Sequence, residues 1–561
     1  MIPLVVGVTS HRDIAPDQWE DIRQRVRDFF AALTDRFPGL PIVLLSSLAE
    51  GGDQLVAREA LASGAHLMAP LPLPPDLYLD DFDDPEVRRS FETLCAQAEV
   101  VLLPRLMDKP RHAIATPGVE RDRQYATAGV YIASHCHVLL ALWDGNDVGG
   151  FGGTAQIVTY HLTGTLPGLI VRHPHKRHVL GGGTESLLYH IVCSRSDGGP
   201  ASGLQPLDAG WRTGDDPAMH ARMPEEFDLM FTRMAEFNRE CARHAARIAA
   251  APPLLHGTPC ASTALIEQVF QAADWLAVHF RQRVLMALRI TYTVAALMGI
   301  AFTFYAHVPA HDSLIYLFLL LFATGGAVAL LARHRGWHRK YLDYRALAEG
   351  LRIQSCWRRA GIVPDADHEF AHDNFLQKQN IELGWIRHVM RAASLYPSTH
   401  PEEPGDDALR EVIEEWVGRS GTSGQLDYYE RKTAERTGVH HITETIGHIS
   451  LWGGVAISVF LAAFATNLGT ESKVILVTTM AVLSIVAAVR EAYAYRKADR
   501  ELIRQYRFMQ RIFASARAAL DRTDDPARQR AILHALGDAA LTEHAEWTLM
   551  QRERQVEHSK M

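Results

Sequence analysis

Four uncharged apolar stretches in the second half of the chain constrain its fold more than any other feature. The stretches are Ile290–Ala306, Ser313–Ala332, Ile449–Thr466 and Val474–Val489. A helix needs about 17–25 apolar residues to cross a bilayer, so the last stretch is short unless it borrows flanking residues. Buried hairpins in a soluble core are the alternative, but they leave two matched uncharged pairs unexplained. The stretches therefore predict four transmembrane helices arranged as two hairpins.

The overall composition conceals this membrane half and excludes several classes of function. Of the 561 residues 47% are apolar, and the mean hydropathy is −0.07, as in ordinary globular proteins. The net charge of −8 gives no bulk basic signal, so no nucleic-acid partner is expected. Six cysteines without a Cys-x-x-Cys pair argue against a disulfide framework and against a zinc site, so no metal is expected. The N-terminus has no secretory pattern, and no cleaved signal peptide is expected.

Basic residues predict how the hairpins are oriented. The loop His307–Asp312 has no Lys or Arg, and Asn467–Lys473 has only Lys473. The outer flanks of both hairpins are rich in Arg and Lys. Because basic loops stay in the cytoplasm, both short loops are expected outside and both termini inside.

Small and polar residues recur at every fourth position in the first helix of each hairpin. The first row is Thr291, Ala295, Gly299 and Thr303, and the second is Ser450, Gly454, Ser458, Ala462 and Thr466. Such a row lets helix backbones approach closely in lipid, and it indicates either a packing seam or the wall of a water-filled path. The rows superpose at an offset of 159 residues. We interpret this half as a divergent tandem duplication of helix, hairpin, long helix and Trp-containing helix.

This half resembles the SLATT family, over about residues 225–557. The resemblance rests on the architecture and on scattered residues, such as Ala273-Asp274 before the first hairpin and Tyr506 after the second. Those bacterial proteins have a two-helix membrane hairpin followed by a long cytosolic helix, and they are associated with nucleotide-signalling defence. The resemblance implies a multi-pass protein of the bacterial inner membrane that perturbs the bilayer. A doubled hairpin departs from the simplest member.

The first 200 residues alternate strand-like and helical patterns. Apolar runs that predict strands are Leu4–Val8, Pro41–Ser46, His66–Pro70, Val100–Pro104, Val138–Trp143, Leu169–Arg172 and Tyr189–Cys193. Amphipathic helices are expected between them, for example over Trp19–Phe37. The alternation predicts an α/β fold with a doubly wound, mostly parallel sheet.

Three glycine-bearing or polar turns follow strands of this sheet and supply the candidate ligand-binding residues. Ligands of such sheets bind at the carboxyl ends of strands, where glycines and helix N-termini receive phosphate. Asp53 is placed to accept a hydrogen bond from a hydroxyl or to cap its helix. The candidates are Gly7, Thr9, Ser10, Arg12, Ser47, Glu50, Gly51, Gly52, Asp53, Asp144, Gly150, Gly152, Gly153 and Thr154. Plain turn geometry explains a single glycine turn, but three turns at successive strand ends favour a nucleotide-type ligand.

The segment from Ser46 to Leu61 is similar to the second glycine turn of the SLOG superfamily, and Gly150-Phe151-Gly152-Gly153-Thr154 looks like its third turn. The resemblance covers residues 2 to about 195. It implies a Rossmann-like nucleotide-binding domain. The hydrolase branch of that superfamily uses a glutamate three residues after the threonine, and Ile157 stands there in this chain. The missing carboxylate favours binding over hydrolysis.

Together these patterns predict five segments and one main function. The segments are a nucleotide-binding domain (1–200), a connector (201–260), a first hairpin with juxtamembrane helices (261–395), a linker (396–425) and a second hairpin (426–557). The expected function is a homo-oligomeric membrane effector that senses a nucleotide-type ligand, whose identity stays open, and perturbs the bilayer or forms a pore. A membrane-anchored nucleotide-processing enzyme is the main alternative, and a scaffold is a third.

Overall fold

The computed structural model describes residues 1–103, 114–147, 150–166, 168, 186–254, 261–307, 313–362, 381–395, 406–464 and 466–559. The predicted strand at Leu169–Arg172, the loop at 308–312 and the first part of the predicted linker, 396–405, lie outside these residues. The described chain forms two compact units, Met1–Ala272 with Leu347–Gly405, and Ala273–Ala346 with Asp406–Met561.

The N-terminal part of the chain forms a sheet of seven strands. The strands are β1 (Leu4–Ser10), β2 (Ile42–Leu45), β3 (His66–Leu71), β4 (Glu99–Leu102), β5 (Val138–Trp143), β6 (Leu187–Val192) and β7 (Ala209–Thr213). Their order is β4-β3-β2-β1-β5-β6-β7, and every pair of neighbours is parallel except β6 and β7. The prediction of a mostly parallel sheet is confirmed. The sequence pattern missed β7, which returns antiparallel to β6.

The strand order reverses beside β1. The chain first steps outward from β1 to β4 and then returns to place β5 on the other side of β1. The central strands β1 and β5 are apolar along most or all of their length because they are buried. The carboxyl ends of β2, β1 and β5 therefore lie next to one another at one edge.

Eight helices accompany the sheet in the described residues. They are α1 (Trp19–Arg36), α2 (Gly52–Ala62), α3 (Pro75–Leu79), α4 (Pro85–Gln97), α5 (Val119–His135), α6 (Thr154–Thr163), α7 (Glu225–Arg243) and α8 (Ala245–Ala249). Helices α1 and α2 are joined by an ion pair, with Arg27 Nε 2.7 Å from Glu59 Oε2. Helices α5 and α6 pack without a gap, since a Cβ added at Gly129 would lie 2.4 Å from Ile157 Cδ1.

The rest of the described chain is helical. The helices are α9 (Ala261–His307), α10 (Leu314–His334), α11 (Trp337–Arg359), α12 (Gly384–Ala393), α13 (Asp406–Val412), α14 (Gly424–Phe464), α15 (Thr470–Lys497), α16 (Asp499–Leu520) and α17 (Pro526–Ser559). The order of helix, hairpin, long helix and Trp-containing helix occurs twice, as predicted. The two Trp-containing helices differ in length, since α12 has 10 residues and α17 has 34.

Four helical segments are long and apolar enough to cross a membrane, and they cover the four predicted stretches except for Ser313 and the end of the third stretch beyond Phe464. Large apolar side chains on these segments are exposed, for example Phe322 at 63%, Trp452 at 66% and Ile475 at 64%. A soluble protein rarely exposes so much apolar surface, so these segments are suited to lipid.

The compact units divide the chain differently from the predicted segments. The expected first hairpin domain, 261–395, contributes its two ends to the unit that contains the sheet. The reason is packing that periodicity does not show. In that unit Trp385 of α12 lies with its ring 6.1 Å from Phe237 of α7, and Arg359 of α11 forms a buried ion pair with Glu267 of α9, 2.8 Å apart. Helices α9 and α11 thus contribute residues to both units.

Candidate functional site

The three predicted turns come together at the carboxyl edge of β2, β1 and β5. Ser10 Oγ, at the end of β1, donates a hydrogen bond to Asp53 Oδ1 over 2.6 Å. His11 Nε2 lies 3.1 Å from Asp144 Oδ1, just after β5. The β1–β5 register places Ser10 opposite Leu142. The turn after β1 therefore contacts both of its neighbours.

Asp53 holds two of the turns together. Its carboxylate accepts hydrogen bonds from Ser10 over 2.6 Å and from Ser47 over 3.3 Å, and the side chain is buried. Burial raises the pKa of Asp53 to about 6, against the lowering effect of the Ser10 and Ser47 hydroxyls and of the Arg12 guanidinium. Asp53 was expected either to accept a hydrogen bond from a hydroxyl group or to cap its helix. It accepts hydrogen bonds from two hydroxyl groups of the protein, and α2 has no side-chain cap.

The glycines after β2 allow this close approach. Gly51 has φ +91°, and a Cβ there would lie 2.5 Å from the carbonyl oxygen of Arg12. A Cβ at Gly52 would lie 2.7 Å from Ser10 Cβ. Both glycines are thus required for the packing of one turn on the next. Glu50, beside them, is half-buried.

Gly7 and Thr9 lie within β1, before the edge. A Cβ at Gly7 would lie 2.7 Å from Ile132 Cγ2 of α5, so Gly7 faces a helix and not the turns. Thr9 is half-buried and pairs in register with Ala141 of β5. Strand side chains alternate, so Thr9 points to the same face as Gly7.

The N–H groups of two glycines after β5 donate hydrogen bonds within the protein. The Gly152 amide donates to Gln156 Oε1 over 2.8 Å, and the Gly153 amide donates to the Gly150 carbonyl over 2.9 Å. Gly152 has φ +73°, and a Cβ there would lie 2.8 Å from Ala126 Cβ. These two amides are therefore occupied by the protein.

Other donors remain at the start of α6. Within the described ranges, the N–H groups of Thr154, Ala155 and Gln156 donate to no other residue, and neither does the buried Thr154 hydroxyl. The first N–H groups of a helix have no partner in the helix, and the helix dipole attracts anions there. The groups that can bind an anion are thus in the first turn of α6, and they are not the N–H groups of Gly152 and Gly153.

Asp144 fixes the turn between β5 and these donors. Its side chain accepts from the Asn146 backbone N–H over 3.0 Å and from Asn146 Nδ2 over 2.9 Å. Burial raises the pKa of Asp144, but the hydrogen bonds from Asn146 and the neighbouring His11 outweigh it, so the pKa lies below its usual value. Asp144 is therefore a carboxylate at neutral pH.

Ile157 lies in an apolar cluster with Ala126, Ala133, Tyr160 and Leu166. Its side chain is 2% exposed. This position faces the interior between α5 and α6 and not the turns. A carboxylate there would be buried among apolar side chains, at a cost of several kcal/mol unless it found a charged or hydrogen-bonding partner.

Sequence reasoning missed an aromatic group after β3. Tyr78 of α3 is 0% exposed, and its hydroxyl interacts with the Ser47 side chain. Burial raises the Tyr78 pKa, and Arg12 lowers it. The exposed Arg12 guanidinium lies 5.8 Å from the centre of the Tyr125 ring. Because β3 is parallel to β2, its following loop ends at the same edge, and that rule would have pointed to Tyr78.

In the second unit, the first small-residue row lies against α15. A Cβ at Gly299 would lie 3.1 Å from Ile485 Cγ2. Thr303 is buried and donates to the Gly299 carbonyl over 2.8 Å, while Thr291 and Ala295 are half-buried. This row is therefore a packing surface between helices.

The second row leaves the helix interface along its length. Ser450 and Gly454 are buried, and Ser458 is exposed but still donates a hydrogen bond to Met480 Sδ of α15 over 2.9 Å. Ala462, one step further, is exposed. Residues four apart advance about 40° around a helix, so the row turns out of the contact. Thr466 lies beyond the end of α14 at Phe464, so it does not continue the row.

No protein-family model matches this chain, and comparison with curated proteins and with solved structures found no match. Among the described residues no group of three or more His, Cys, Asp or Glu side chains is arranged to hold a metal ion.

Proposed function

We propose that this chain is a membrane effector that senses a nucleotide-type ligand through its sheet domain and changes the state of the bilayer through its apolar helices. One observation carries the proposal. Three turns converge at one edge of a parallel sheet, with unused donors beside them, in a chain that also has four long, lipid-suited helices.

The sheet edge supports the ligand half of the proposal. The strand order reverses beside β1, and ligands of doubly wound, Rossmann-like sheets bind at such a point. The N–H groups at the start of α6 and the Thr154 hydroxyl would receive a phosphate, and Arg12 would neutralise a second negative group. This is the role expected of a SLOG-like sensor.

The charge pattern supports the membrane half. Basic flanks and nearly uncharged short loops favour an orientation with both termini in the cytoplasm and both loops outside. The SLATT-like architecture favours a bacterial inner membrane and a role in defence or stress signalling. Because two hairpins enclose little space, a pore would require a homo-oligomer.

The proposed mechanism is a shift between two arrangements of the sheet domain. A ligand that binds one arrangement more tightly raises its population. Helices α9 and α11 contribute residues to both units, so a change in the first unit reaches the hairpins along continuous helix. The hairpins then repack, and the membrane depolarises.

A membrane-anchored enzyme that processes a nucleotide is the second candidate. Asp53 favours it, because a buried carboxyl with a pKa of about 6 is suited to general acid or base catalysis. Mass spectrometry of small molecules released from the purified full-length protein identifies the ligand. An enzyme would convert that ligand to a product without any change in the membrane, whereas a sensor would release the ligand chemically unchanged.

The effector function is tested at Gly454. A Cβ there would lie 3.8 Å from Ser484 Oγ and 4.0 Å from Leu483 Cβ, so a leucine must push α14 away from α15. Loss of this close packing in lipid costs on the order of 1 kcal/mol. We expect Gly454→Leu to bind the ligand but to abolish ligand-triggered depolarisation, measured with a voltage-sensitive dye.

Ala456→Leu is the matched control, because Ala456 is exposed on the same helix. It should depolarise cells as the wild type does. A wild type that neither depolarises cells nor permeabilises liposomes with ligand bound would overturn the effector function. Equal depolarisation by Gly454→Leu would show that this contact does not move.

A further inference from the structure

The two hairpins differ in how their cytoplasmic basic residues are neutralised. Hairpin 1 is α9 with α10, and hairpin 2 is α14 with α15. The flanks of hairpin 1, residues 281–289 and 333–340, contain seven Arg or Lys and no Asp or Glu. The flanks of hairpin 2, residues 431–448 and 490–501, also contain seven Arg or Lys but five Asp or Glu. Flanks of those lengths around hairpin 1, residues 272–289 and 333–344, contain the same seven cations and two acidic residues, Asp274 and Asp343. The cations of hairpin 1 thus have fewer acidic neighbours in sequence.

Four arginines of hairpin 1, which we call the basic collar, lie in its two cytoplasmic flanks: Arg283, Arg289, Arg333 and Arg335. All four side chains are exposed. The Arg283 guanidinium lies 5.5 Å from the centre of the Trp337 ring, so the flank of α9 lies beside the junction of α10 and α11. In the parts of the chain that the structure describes, Arg283, Arg289 and Arg335 form no ion pair with a carboxylate. These three charges are therefore exposed to the solvent or lipid around the helices.

Hairpin 2 neutralises its own cations. Lys497 Nζ lies 2.9 Å from Asp499 Oδ2, and Arg436 lies 3.2 Å from the other oxygen of the same carboxylate. Arg500 lies 2.7 Å from Glu444.

Two further cations of that hairpin complete the comparison. Arg490 lies 2.7 Å from Glu491, and Arg496 is exposed without such a pair among the described residues. In hairpin 2 one exposed cation thus has no carboxylate partner among the described residues, against three in the basic collar.

The position of the basic collar matters as much as its charge. Arg289 immediately precedes the apolar stretch that begins at Ile290, and Arg333 immediately follows the stretch that ends at Ala332. The collar therefore lies at the level of lipid headgroups if these stretches span a bilayer. Tryptophan prefers the same depth, which suits Trp337. Anionic headgroups attract such cations, and the attraction is strongest within a Debye length of the surface.

We propose that hairpin 1 binds anionic phospholipid headgroups through the basic collar and that hairpin 2 does not. The inference rests on the membrane half of the proposed function. It assigns the two hairpins different roles. Hairpin 1 is held by anionic lipid, and hairpin 2 is free to repack.

The test uses the purified full-length protein in detergent micelles that contain equal amounts of phosphatidylglycerol and phosphatidylcholine. Native mass spectrometry counts the lipids that stay bound. The wild type should retain phosphatidylglycerol preferentially. Each arginine removed from the collar should weaken this retention about fivefold, so Arg283→Gln/Arg289→Gln/Arg335→Gln should lose about a hundredfold.

Arg335→Gln and Arg500→Gln form a matched pair, because both remove one exposed charge close to a membrane helix. The first should weaken retention, and the second should leave it unchanged because Glu444 already neutralises Arg500. Equal effects would overturn the distinction between the hairpins. Equal retention of both lipids by the wild type, or displacement by excess free glycerol phosphate, would overturn the lipid as partner.

Extraction with alkaline carbonate separates this inference from the proposed function. A protein released from membranes by carbonate is not integral, and then the membrane half of the proposed function fails. A protein that resists extraction but shows no lipid preference contradicts the inference alone.

Discussion

Replacing Asp53 with asparagine should stabilise the sheet domain at neutral pH and leave it unchanged in acid. The carboxyl group of Asp53 is buried, and burial raises its pKa from 3.8 to about 6 despite hydrogen bonds from Ser10 and Ser47. The folded protein therefore keeps this proton to a higher pH than the unfolded chain does. Asparagine has a similar shape and is never charged. Its oxygen and its NH2 group can still meet the two serine hydroxyls.

The sign and size follow from linkage. A pKa that is raised on folding contributes stability that is present below the unfolded value and lost as the pH rises through the folded value. The interval from 3.8 to about 6 corresponds to about 3 kcal/mol at pH 7.5. We expect Asp53→Asn to recover up to that amount at pH 7.5 and little at pH 4.

Hydrogen exchange on the full-length protein measures this locally, because a chain with two compact units need not unfold in one step. Amides of β1, β2 and α2 should open about a hundredfold less often in the variant at pH 7.5, after correction for intrinsic rates. Asp83→Asn is the control, since Asp83 is exposed. Faster opening of Asp53→Asn at pH 7.5 would refute the reasoning, because the serine hydroxyls and Arg12 would then outweigh burial.

Three further outcomes are expected. Gly51→Ala should destabilise the domain by several kcal/mol more than Gly64→Ala, because both glycines have positive φ but only the Cβ at Gly51 meets backbone, 2.5 Å away; equal unfolding midpoints would contradict this. Gly153→Asp should abolish nucleotide binding in calorimetry because its carboxylate repels phosphate, whereas Gly153→Ala, with the same Cβ 3.0 Å from the Gly150 carbonyl, should bind; loss in both variants would indicate a steric cause. A cysteine at Ala310 should react with an impermeant thiol reagent in intact cells, and reaction only after the membrane is breached would reverse the proposed topology.

The sequence alone was sufficient for the features that depend on uninterrupted patterns. The four apolar stretches lie almost entirely in the four helices that are long enough to cross a membrane, because a bilayer imposes a length and excludes charge over it. Most strand positions were predicted to within a few residues because buried parallel strands are continuously apolar. The meeting of three turns at one edge followed from the direction of parallel strands.

Tertiary structure decided which groups at that edge are already used. The sequence places Gly152 and Gly153 at a helix start, but only the fold shows that their amides bond to Gln156 and Gly150. Likewise Asp53 was a candidate acceptor, and the fold supplies the Ser10 hydroxyl from a strand 43 residues away. Hydrogen bonds between distant residues leave no periodic signal in the chain.

Tertiary structure also decided how the helices divide between the two units. The sequence predicted one continuous first hairpin domain, yet the ends of that segment belong to the unit that contains the sheet. There Arg359 pairs with Glu267, which joins the two ends, and Trp385 packs on Phe237 of α7. Helical periodicity shows that a face is apolar but not which partner covers it, because many partners bury the same area equally well. The sequence therefore determined the secondary structure of most segments, and the packing of distant segments determined which neighbours each one has.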